Sequence, residues 1–512
     1  MITVYVKRFD KEKDEEPHIE SYKIKETPRM KVLDALEEIN EKYDADISFR
    51  SSCKAGQCGS CAVKVNGNGR LACQADIKDN RLIEPLDLPV IKDLVVDRSS
   101  IENKVKELEL HLKCDDEKSH EKLMSDEIKD TKKVRSCIEC YSCLSSCPVV
   151  RHFKEDYLGP FYMRYLGKYD FDPRDEADRL IDALDNGMYN CTSCGMCGAV
   201  CPKNINSFGD AVEKLRAIAC SKDLGPLEAH KAFKENIVAT GRSVPKQDES
   251  FIEEIERIGN KTLKSQESNI NEESQDKANT EESKEKIALF TGCMVDYRVQ
   301  EVGRDLLDVL EANNIEIDVP KGQVCCGSPL LRTGQTDVVQ ELVDKNKEVF
   351  KDYDKVITIC AGCGATLKND HPKFGSNLNV QDISEFLIDK LDTDKMKELN
   401  TKVTWHDPCH LARGQGIKDY PRDIIGMIPG VEFSELEHPA QCCGAGGGIK
   451  SGRPDIASKL ANEKAKMIKD TGADIVTTIC PFCQTNLKDG LNDINHDVEV
   501  LNLIQLLKRA YE

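Results

Sequence analysis

Features that would place a protein in a membrane, outside the cell or on nucleic acid are missing from this sequence of 512 residues. No run approaches the ~18 consecutive apolar residues that a membrane-spanning helix requires. The opening residues, MITVYVKRFDKEKDEEP, lack the apolar core and cleavage site of a signal peptide. A formal net charge of −19 disfavours binding to nucleic acid or to an anionic membrane surface. We therefore expect a cytoplasmic protein with no nucleic-acid partner and no membrane partner.

Cysteine, in contrast, is abundant. The chain has 24 cysteines, and all but two fall into tight clusters. In a small secreted protein this number would indicate disulfides. In a long, cytoplasmic chain, clusters of the C-x-x-C type indicate metal ligation instead. We interpret the two left over, Cys114 and Cys220, as ordinary thiols.

Four cysteines near the N-terminus have the spacing of a [2Fe–2S] site. They follow C-x4-C-x2-C…C, the plant-type ferredoxin pattern. These ligands are Cys53, Cys58, Cys61 and Cys73. Gly56 and Gly59 let the loop wrap closely and let backbone N–H groups point at the sulfurs, whereas a zinc site would more usually show two C-x-x-C pairs. Around this loop, ITVYVKRF alternates like a strand and Lys31–Tyr43 has helical spacing.

Two copies of C-x2-C-x2-C-x3-C-P follow, the pattern of proteins with two [4Fe–4S] clusters. In that pattern the fourth cysteine of each copy ligates the other cluster. One predicted ligand set is Cys137, Cys140, Cys143 and Cys201. The other predicted set is Cys191, Cys194, Cys197 and Cys147. The proline after each copy turns the chain away from the ligands.

A polar stretch separates the two halves of the chain. Ser265–Lys286 contains only Ile270 and Ala278 as apolar residues. It cannot bury enough surface to offset the entropy lost on ordering. We therefore interpret it as part of a linker.

The C-terminal half contains a duplicated block of five cysteines. The first block consists of Cys293, Cys325, Cys326, Cys360 and Cys363. The second block consists of Cys409, Cys442, Cys443, Cys480 and Cys483. Each block has a β-α-β rhythm, and the strands predicted in the first are Lys286–Thr291, Ile315–Val319 and Lys355–Ile359. Since ligands gather at the carboxyl ends of parallel strands and helix N-termini favour thiolates, the five sulfurs of each block should share one rim.

Five cysteines exceed the four that an ordinary zinc or cubane site takes. The adjacent Cys-Cys pairs indicate sulfurs shared between irons, and Gly327 and Gly444 after them leave room for a bulky cluster or a substrate. A structural, hydrogen-bonded role is favoured for His410 and still more for His406, and donation of a proton to a thiolate leaving group by His410 is the alternative. No cluster of Lys or Arg stands out as an anion site.

The N-terminal half resembles the iron–sulfur subunits of succinate dehydrogenases and fumarate reductases. The resemblance rests on FRSSCKAGQCGSCAVKVNG, PLDLPVIKDLVVD, LGP, DPRDEADR and CPKNIN. It implies a β-grasp fold around a [2Fe–2S] cluster that lies nearest the FAD of a separate flavoprotein. That family typically lacks the cysteine found here as Cys194 and builds a three-iron cluster beside a quinone site. With Cys194 present, the resemblance implies a second [4Fe–4S] cluster and weakens a quinone-reducing role.

The duplicated blocks resemble the CCG-domain family, known from the heterodisulfide reductases of methanogens. All ten cysteines match its pattern. The resemblance implies two non-cubane [4Fe–4S] clusters that face each other, with a disulfide of coenzyme M and coenzyme B cleaved or formed between them. Other members of the family serve glycolate or lactate oxidation.

Together the halves resemble the thiol:fumarate reductase family of methanogenic archaea. The expected fold is multidomain, α+β and then α/β. The expected domains are a β-grasp [2Fe–2S] ferredoxin domain (1–97), an α-helical ferredoxin domain with two [4Fe–4S] motifs (98–240), a partly disordered linker (241–286) and two tandem Rossmann-like CCG modules (287–375 and 376–512).

The resemblance implies an oxidoreductase component that oxidises the thiols of coenzyme M and coenzyme B to their heterodisulfide and passes the electrons through its clusters. FAD and the fumarate site would belong to a separate flavoprotein that forms a heterodimer with this chain, because the chain lacks a G-x-G-x-x-G fingerprint and an evident dicarboxylate site. Two alternatives stay open. One is the iron–sulfur component of a succinate or 2-hydroxy-acid (glycolate or lactate) dehydrogenase that reduces a quinone, and the other is a multi-zinc interaction scaffold.

Overall fold

A computed structural model describes residues 1–114, 128–246, 248–266 and 285–512. They form two units, Met1–Gly225 and Pro226–Glu512. The polar stretch Ser265–Lys286 lies almost entirely outside the described residues. Within the described ranges, no helix combines the length and the apolar character that crossing a membrane requires.

The first unit begins with a mixed five-stranded sheet. Its strands β1 to β5 are Ile2–Arg8, His18–Ile24, Ala62–Val65, Asn68–Leu71 and Arg81–Glu84. The order is β2-β1-β5-β3-β4, with β1 antiparallel to β2 and parallel to β5. The alternation in ITVYVKRF buries Val4 and Val6 completely, which confirms the predicted strand. The predicted helix is also present, as α1, Val32–Tyr43, and a small hairpin follows the sheet, with β6 at Val90–Lys92 and β7 at Val95–Val96.

Short helices make up the rest of the first unit. Helices α2 to α9 are Ser99–Glu107, Lys129–Val134, Ser142–Ser145, Pro148–Phe153, Pro160–Asp170, Arg179–Asp185, Met196–Ala199 and Glu213–Ser221. α4 and α8 lie inside the two cubane motifs, and each starts after a residue with positive φ, Tyr141 at 60° and Gly195 at 74°. The two motifs therefore share one backbone conformation.

Two parallel sheets form the centre of the second unit. In the first, β8 to β10 are Ile287–Phe290, Lys355–Thr358 and Val380–Asp382. In the second, β11 to β14 are Thr401–Trp405, Val431–Phe433, Ile475–Thr478 and Glu499–Asn502. The strand orders are β10-β9-β8 and β12-β11-β13-β14. All pairs are parallel, so the strands of each sheet have their carboxyl ends at the same edge.

The helices of the second unit connect these strands. Helices α10 to α23 are Glu228–Thr240, Phe251–Gln266, Gly292–Tyr297, Gln300–Ala312, Ser328–Thr333, Val339–Phe350, Ala361–Asn369, Ile383–Leu387, Cys409–Ala412, Asp419–Met427, Ile449–Gly452, Pro454–Thr471, Pro481–Asp493 and Leu503–Tyr511. α11 lies within the stretch 241–286 that was predicted as a linker. The division into five domains otherwise stays a prediction.

One apolar core joins the two sheets. It includes strand residues from both, among them Leu289, Ile357, Trp405 and Val476, all with no exposed surface. The closing helix α23 adds Ile504 and other apolar side chains to the same core. The two cysteine blocks are therefore held on one packed unit, which fixes the strand ends relative to each other.

Candidate metal centres

The predicted [2Fe–2S] ligands lie in the loop before β3 and just after β4. Cys53 and Cys58 are exposed, whereas Cys61 and Cys73 are buried. The sulfur of Cys53 accepts hydrogen bonds from the backbone N–H groups of Ala55, Gln57 and Cys58 at 3.3–3.4 Å. A hydrogen bond from the backbone of Cys53, with others from Ser60, lowers the pKa of the Cys58 thiol to about 6. The loop is thus shaped to hold anionic sulfur.

This loop and its strand lie against the first cubane motif. A Cβ atom added at Gly59 would lie 2.5 Å from the carbonyl oxygen of Ile138. One added at Gly69 would lie 2.7 Å from that of Ser142, and the N–H of Gly69 donates to Ser146 Oγ at 2.8 Å. Within the first unit, the [2Fe–2S] loop and the cubane motif therefore meet in backbone contact.

The structure brings the fourth cysteine of each cubane motif to the other motif. The first motif's Cys147 lines a small cavity with cysteines of the second, namely Cys191, Cys194 and Cys197. Cys201 of the second motif packs with Cys137 of the first, against Val134 and its neighbours. This is the crossed arrangement predicted for two clusters, and the ligand assignment itself stays a prediction.

Burial makes several thiols of the two cubane motifs harder to deprotonate. It raises the pKa of Cys143 and of Cys147 well above that of an ordinary thiol. A buried thiolate needs a compensating cation, and iron bound by several sulfurs supplies one. The buried four-sulfur sets therefore fit iron–sulfur clusters.

Two buried arginines beside these cysteines could not be found from the sequence. Arg216 donates to the backbone oxygens of Met188 and Cys191 at 2.8 and 3.0 Å. Arg164 stacks over the ring of Tyr165 at 4.2 Å. Burial raises the pKa of Cys137, and the charge of Arg164 acts against that rise. The sequence pattern of a helix does not show whether an arginine in it is buried or exposed to solvent. The burial of Arg164 and Arg216 therefore could not be predicted.

All ten cysteines of the duplicated blocks line one cavity of about 190 Å³ in the second unit. Nine of them are buried and Cys409 is partly exposed. Four of the helices that carry them, α12, α16, α18 and α22, begin at or next to a cysteine. The strand-end position expected from the sequence is therefore what the fold produces.

The two blocks have the same sulfur geometry. The sulfurs of Cys326 and Cys363 lie 3.5 Å apart, and the equivalent sulfurs of Cys443 and Cys483 lie 3.4 Å apart. None of the four forms a disulfide. Close pairs of free sulfurs are typical of thiolates that share a metal cluster.

The glycine after each Cys-Cys pair has a definite role. Gly327 donates its N–H to Cys325 Sγ at 3.4 Å, and Gly444 donates to Cys442 Sγ at 3.3 Å. Their φ angles are 84° and 93°, a region that other residues rarely adopt. A Cβ atom at Gly444 would also lie 2.8 Å from the carbonyl oxygen of Ala457. At position 444, both the backbone conformation and the lack of space for a side chain therefore require glycine.

The blocks meet at Cys360 and Cys480. Hydrogen bonds from Cys363 and then Cys480 lower the pKa of Cys360, whereas the hydrogen bond with Cys360 raises the pKa of Cys480. Each of these two cysteines is the residue before the first turn of its helix. The sulfurs of the two blocks therefore form one continuous set.

The remaining cavity wall is largely apolar, with a few polar groups. Phe233 and Phe482 contribute aromatic rings. His410 also lines the cavity, and its Nδ1 would lie 3.8 Å from a Cβ atom at Gly362. Lys450 reaches the same wall while donating to Asn486 and Asp489. His410 is thus placed beside the helix that carries Cys363, as a proton donor would need to be.

His406 and Lys464 lie near the second block. His406 is buried with Cys443 and Cys483, and the possible ligand atoms of the three lie within 4.8 Å of one another. Lys464 is fully buried, and burial lowers its pKa to about 7. Lys464 donates to the backbone oxygens of His438 and Pro439. The position of His406 beside ligand sulfurs is compatible with the structural role favoured for it.

Family models match most of the chain. A 2Fe-2S iron-sulfur cluster binding domain matches residues 3–103, and a 4Fe-4S dicluster domain matches residues 133–205. A cysteine-rich domain, CCG, matches residues 287–368 and 403–488. The iron–sulfur domains thus occur in the predicted order, on a fold of mixed helices and sheets.

Relatives extend the match to the full length. The B subunit of fumarate reductase (CoM/CoB) from Methanothermobacter marburgensis is 52% identical, over 100% of this chain and 99% of the relative. The D subunit of dihydromethanophenazine:CoB–CoM heterodisulfide reductase from Methanosarcina acetivorans is 33% identical, over 73% of this chain and 93% of the relative. The crystal structure of a hypothetical protein from Helicobacter pylori covers 100% of this chain and 94% of that one with a TM-score of 0.64, and at 14% identity it shows the fold alone. The chain belongs to the family of the B subunits of fumarate reductase (CoM/CoB).

Proposed function

We propose that this chain is the iron–sulfur component of an oxidoreductase that couples thiol oxidation to fumarate reduction. The thiols of coenzyme M and coenzyme B lose two electrons and two protons and become joined by an S–S bond. Fumarate takes up two electrons and two protons and becomes succinate. The observation that carries the proposal is that all ten cysteines of the duplicated blocks line one cavity.

The residues that would hold the cofactors follow from the sulfur groups described above. A [2Fe–2S] cluster is assigned to Cys53, Cys58, Cys61 and Cys73. Two cubane [4Fe–4S] clusters are assigned to the crossed sets Cys137, Cys140, Cys143, Cys201 and Cys147, Cys191, Cys194, Cys197. Two non-cubane [4Fe–4S] clusters are assigned to the five cysteines of each C-terminal block. When bound, the clusters would supply one-electron redox chemistry, so the two electrons of thiol oxidation leave singly.

The chain's own side chains prepare the cavity for thiols. The rings of Phe233 and Phe482 exclude water and favour an alkyl thiol over a charged one. His410 takes the proton of a bound thiol during oxidation and returns it to the thiolate in the reverse direction. Lys450 is a cation on this wall that suits an anionic group at the far end of a coenzyme.

A partner must complete the reaction. We assign FAD and the fumarate site to a flavoprotein that pairs with this chain as a heterodimer. The exposed sulfurs of Cys53 and Cys58 support electron delivery from the N-terminal loop to that partner. For the domains, the mixed sheet with α1 supports a β-grasp assignment, and the two parallel sheets support Rossmann-like CCG modules. The cytoplasmic location stays a prediction.

The chief alternative is the iron–sulfur component of a succinate or 2-hydroxy-acid dehydrogenase that reduces a quinone. Cys194 counts against it, because this cysteine lines the same small cavity as Cys147, Cys191 and Cys197. Four sulfurs there fit a complete cubane. An enzyme of this alternative class would reduce a quinone analogue and ignore the two thiols.

The test is an anaerobic assay of the chain with its flavoprotein, given both thiols and fumarate. We expect thiol-dependent formation of succinate. Cys442→Ser should abolish thiol oxidation but leave fumarate reduction by artificial dyes largely intact. Cys220→Ser, a cysteine outside every cluster motif, is the matched control and should keep both activities. The absence of thiol-dependent succinate with an iron-loaded complex would refute the proposal.

A further inference from the structure

A buried ion pair lies against the first cysteine block. Arg242 and Asp296 are only 3% and 2% exposed. Arg242 Nε donates to Asp296 Oδ2 at 2.8 Å, and Nη2 lies 2.8 Å from the same oxygen in the ion pair. The other carboxylate oxygen, Oδ1, accepts the backbone N–H of Ile252 at 3.1 Å. Both oxygens of the carboxylate are thus engaged, and the pair is held rigidly.

The pair is fixed to a ligand at two points. Asp296 lies in α12, one turn after Cys293. On the other side, Ser243 follows Arg242 and donates its backbone N–H to Cys293 Sγ at 3.3 Å. Arg242 therefore cannot move away from Cys293 without breaking contacts to that sulfur or to its helix.

Asp296 only partly balances the positive charge of Arg242. Its Nη1 is buried and has no hydrogen-bond partner within the described part of the chain. Burial disfavours the charge, but Asp296 and then the sulfurs of Cys293 and Cys325 outweigh burial and raise the pKa of Arg242. A guanidinium is always protonated, so a permanent positive charge faces these sulfurs in a medium of low dielectric constant.

The second block has different neighbours despite its matching sulfur geometry. A buried lysine, Lys464, lies beside its Cys-Cys pair; burial lowers its pKa to about 7, and it donates to the backbone oxygens of His438 and Pro439. A lysine ammonium lacks the planar fork of a guanidinium, and this one is directed at carbonyl groups instead of a carboxylate. The second block also has an Arg–Asp pair, Arg422 with Asp407 at 2.9 Å, but Arg422 binds Glu435 as well, so two carboxylates share its charge. The two blocks therefore differ in the charged groups beside them, not in their ligands.

We propose that Arg242, held by Asp296, is a positioning residue that raises the reduction potential of the cluster bound by the first block above that of the second. A positive charge stabilises the reduced, more negative state of a cluster, and hydrogen bonds to its sulfurs act in the same direction. The proposal rests on the proposed function in one respect, that the first block holds an iron–sulfur cluster. It makes the duplicated site electrically asymmetric, which suits two chemically different thiols.

The test is an anaerobic redox titration of the cluster-loaded full chain, followed by electron paramagnetic resonance. Arg242→Met should shift the potential of one C-terminal cluster to a more negative value. Arg242→Lys keeps a cationic group beside Asp296 and should shift the potential less than Arg242→Met does. Asp296→Asn removes the negative partner and should shift the same signal to a more positive value. Arg304→Gln, which breaks a surface ion pair with Glu254 in the same unit, is the control and should shift nothing.

Arg242→Met and Asp296→Asn are expected to shift the reduction potential in opposite directions, and this distinguishes an electrostatic role of Arg242 from a structural one. A structural role would make Arg242→Met and Asp296→Asn shift the signal in the same direction, and that result overturns the inference. If Arg242→Met loses iron, the sign of the Asp296→Asn shift decides. A wild-type chain without a C-terminal cluster signal would instead contradict the proposed function, so the two failures are distinguishable.

Discussion

At the scale of single residues, the predicted cysteine ligands depend on neighbours that hold the backbone in conformations most residues avoid. Gly444 has a φ of 93°, and its N–H donates to the sulfur of Cys442. The main chain of α21 runs beside it, with Ala457 O 2.8 Å from where a Cβ atom would be. The sulfur arrangement is therefore set by the backbone as much as by the cysteines.

Gly444→Ala should destabilise the second unit by about 2 to 4 kcal/mol, because the new methyl group meets backbone and the φ is unfavourable. Gly426→Ala is the matched control. Gly426 lies in helix α19 with nothing within 4 Å of an added Cβ atom, so this change should stabilise by about 0.5 to 1 kcal/mol. Anaerobic denaturant unfolding measures both. Equal stability of the two variants would contradict the role given to Gly444.

Asp382 should give the protein a pH dependence that is unrelated to its clusters. The residue is fully buried, and its side chain caps helix α17 by accepting the N–H of Ser384 at 3.0 Å. Burial raises its pKa from the ordinary 3.8 to about 6. A carboxyl with a raised pKa in the folded state stabilises the fold at low pH, and this stabilisation is lost as the pH rises through about 6.

Asp382→Asn keeps an oxygen for the helix cap and does not titrate. Between pH 5 and pH 7.5 the wild type should lose about 1 kcal/mol of unfolding free energy that the variant keeps. The measurement is the difference between the two proteins in denaturant unfolding at each pH. A difference that does not change with pH would show that Asp382 is ionised throughout.

The sequence identifies the cysteines but not the charges around them. Ligand spacing is read directly from the chain, since C-x-x-C repeats are rare in other contexts. Arg242 and Ser243 belong to a stretch predicted as a linker, where charged residues suggest solvent. Their burial results from tertiary packing against α12, which leaves no local pattern.

At the scale of secondary structure elements, strands that lead into cysteines were predictable. Predicted strands at Lys286–Thr291 and Lys355–Ile359 are confirmed at Ile287–Phe290 and Lys355–Thr358. The predicted strand at Ile315–Val319 is wrong in extent. Only one bridge, between Ala288 and Asp318, is formed there. The segment lies at the edge of the sheet, and Pro320, which has no N–H to donate, ends the pairing.

A second feature at the scale of secondary structure elements is the close packing of strand β4 against helix α4. Gly69 lies in strand β4 and is not among the glycines with positive φ, so a substitution there tests close packing alone, and its Cβ atom would lie 2.7 Å from Ser142 O. Gly69→Ala should destabilise the first unit by about 1 to 3 kcal/mol and slow electron transfer out of the cubane motif. Gly209→Ala, where the nearest atom would be 3.8 Å away, is the control.

Differential scanning calorimetry and dye-linked kinetics measure the two effects. If Gly69→Ala behaves like Gly209→Ala in both, β4 and α4 are not in the close contact described here. If stability falls without a change in rate, the contact has a structural role only.

At the scale of the whole molecule, the order of iron–sulfur domains was predictable, because each has its own cysteine spacing. What could not be predicted is that the two C-terminal blocks share one core and one cavity. The pattern of each block is compatible with two separate domains, and only the joint burial of residues such as Leu289 and Trp405 joins them. One cavity lined by ten cysteine sulfurs supports the proposed thiol-coupling site over two independent electron carriers.

The five proposed iron–sulfur clusters together predict the iron content of the chain. Anaerobically prepared chain should contain about 18 iron atoms. Cys114→Ser, outside every motif, should keep this content. Elemental analysis measures the iron and zinc content of both proteins. A nearly stoichiometric zinc content with little iron would favour the alternative of a multi-zinc scaffold.

The central claim is that one cavity joins two thiols while a partner reduces fumarate. The most direct measurement is the ratio of coenzyme M–coenzyme B heterodisulfide formed to succinate formed, by the anaerobic complex with its flavoprotein. We predict one heterodisulfide for each succinate, and none of either with Cys442→Ser when the thiols are the electron source. Succinate formed without heterodisulfide, or a symmetrical disulfide formed in its place, would contradict the account.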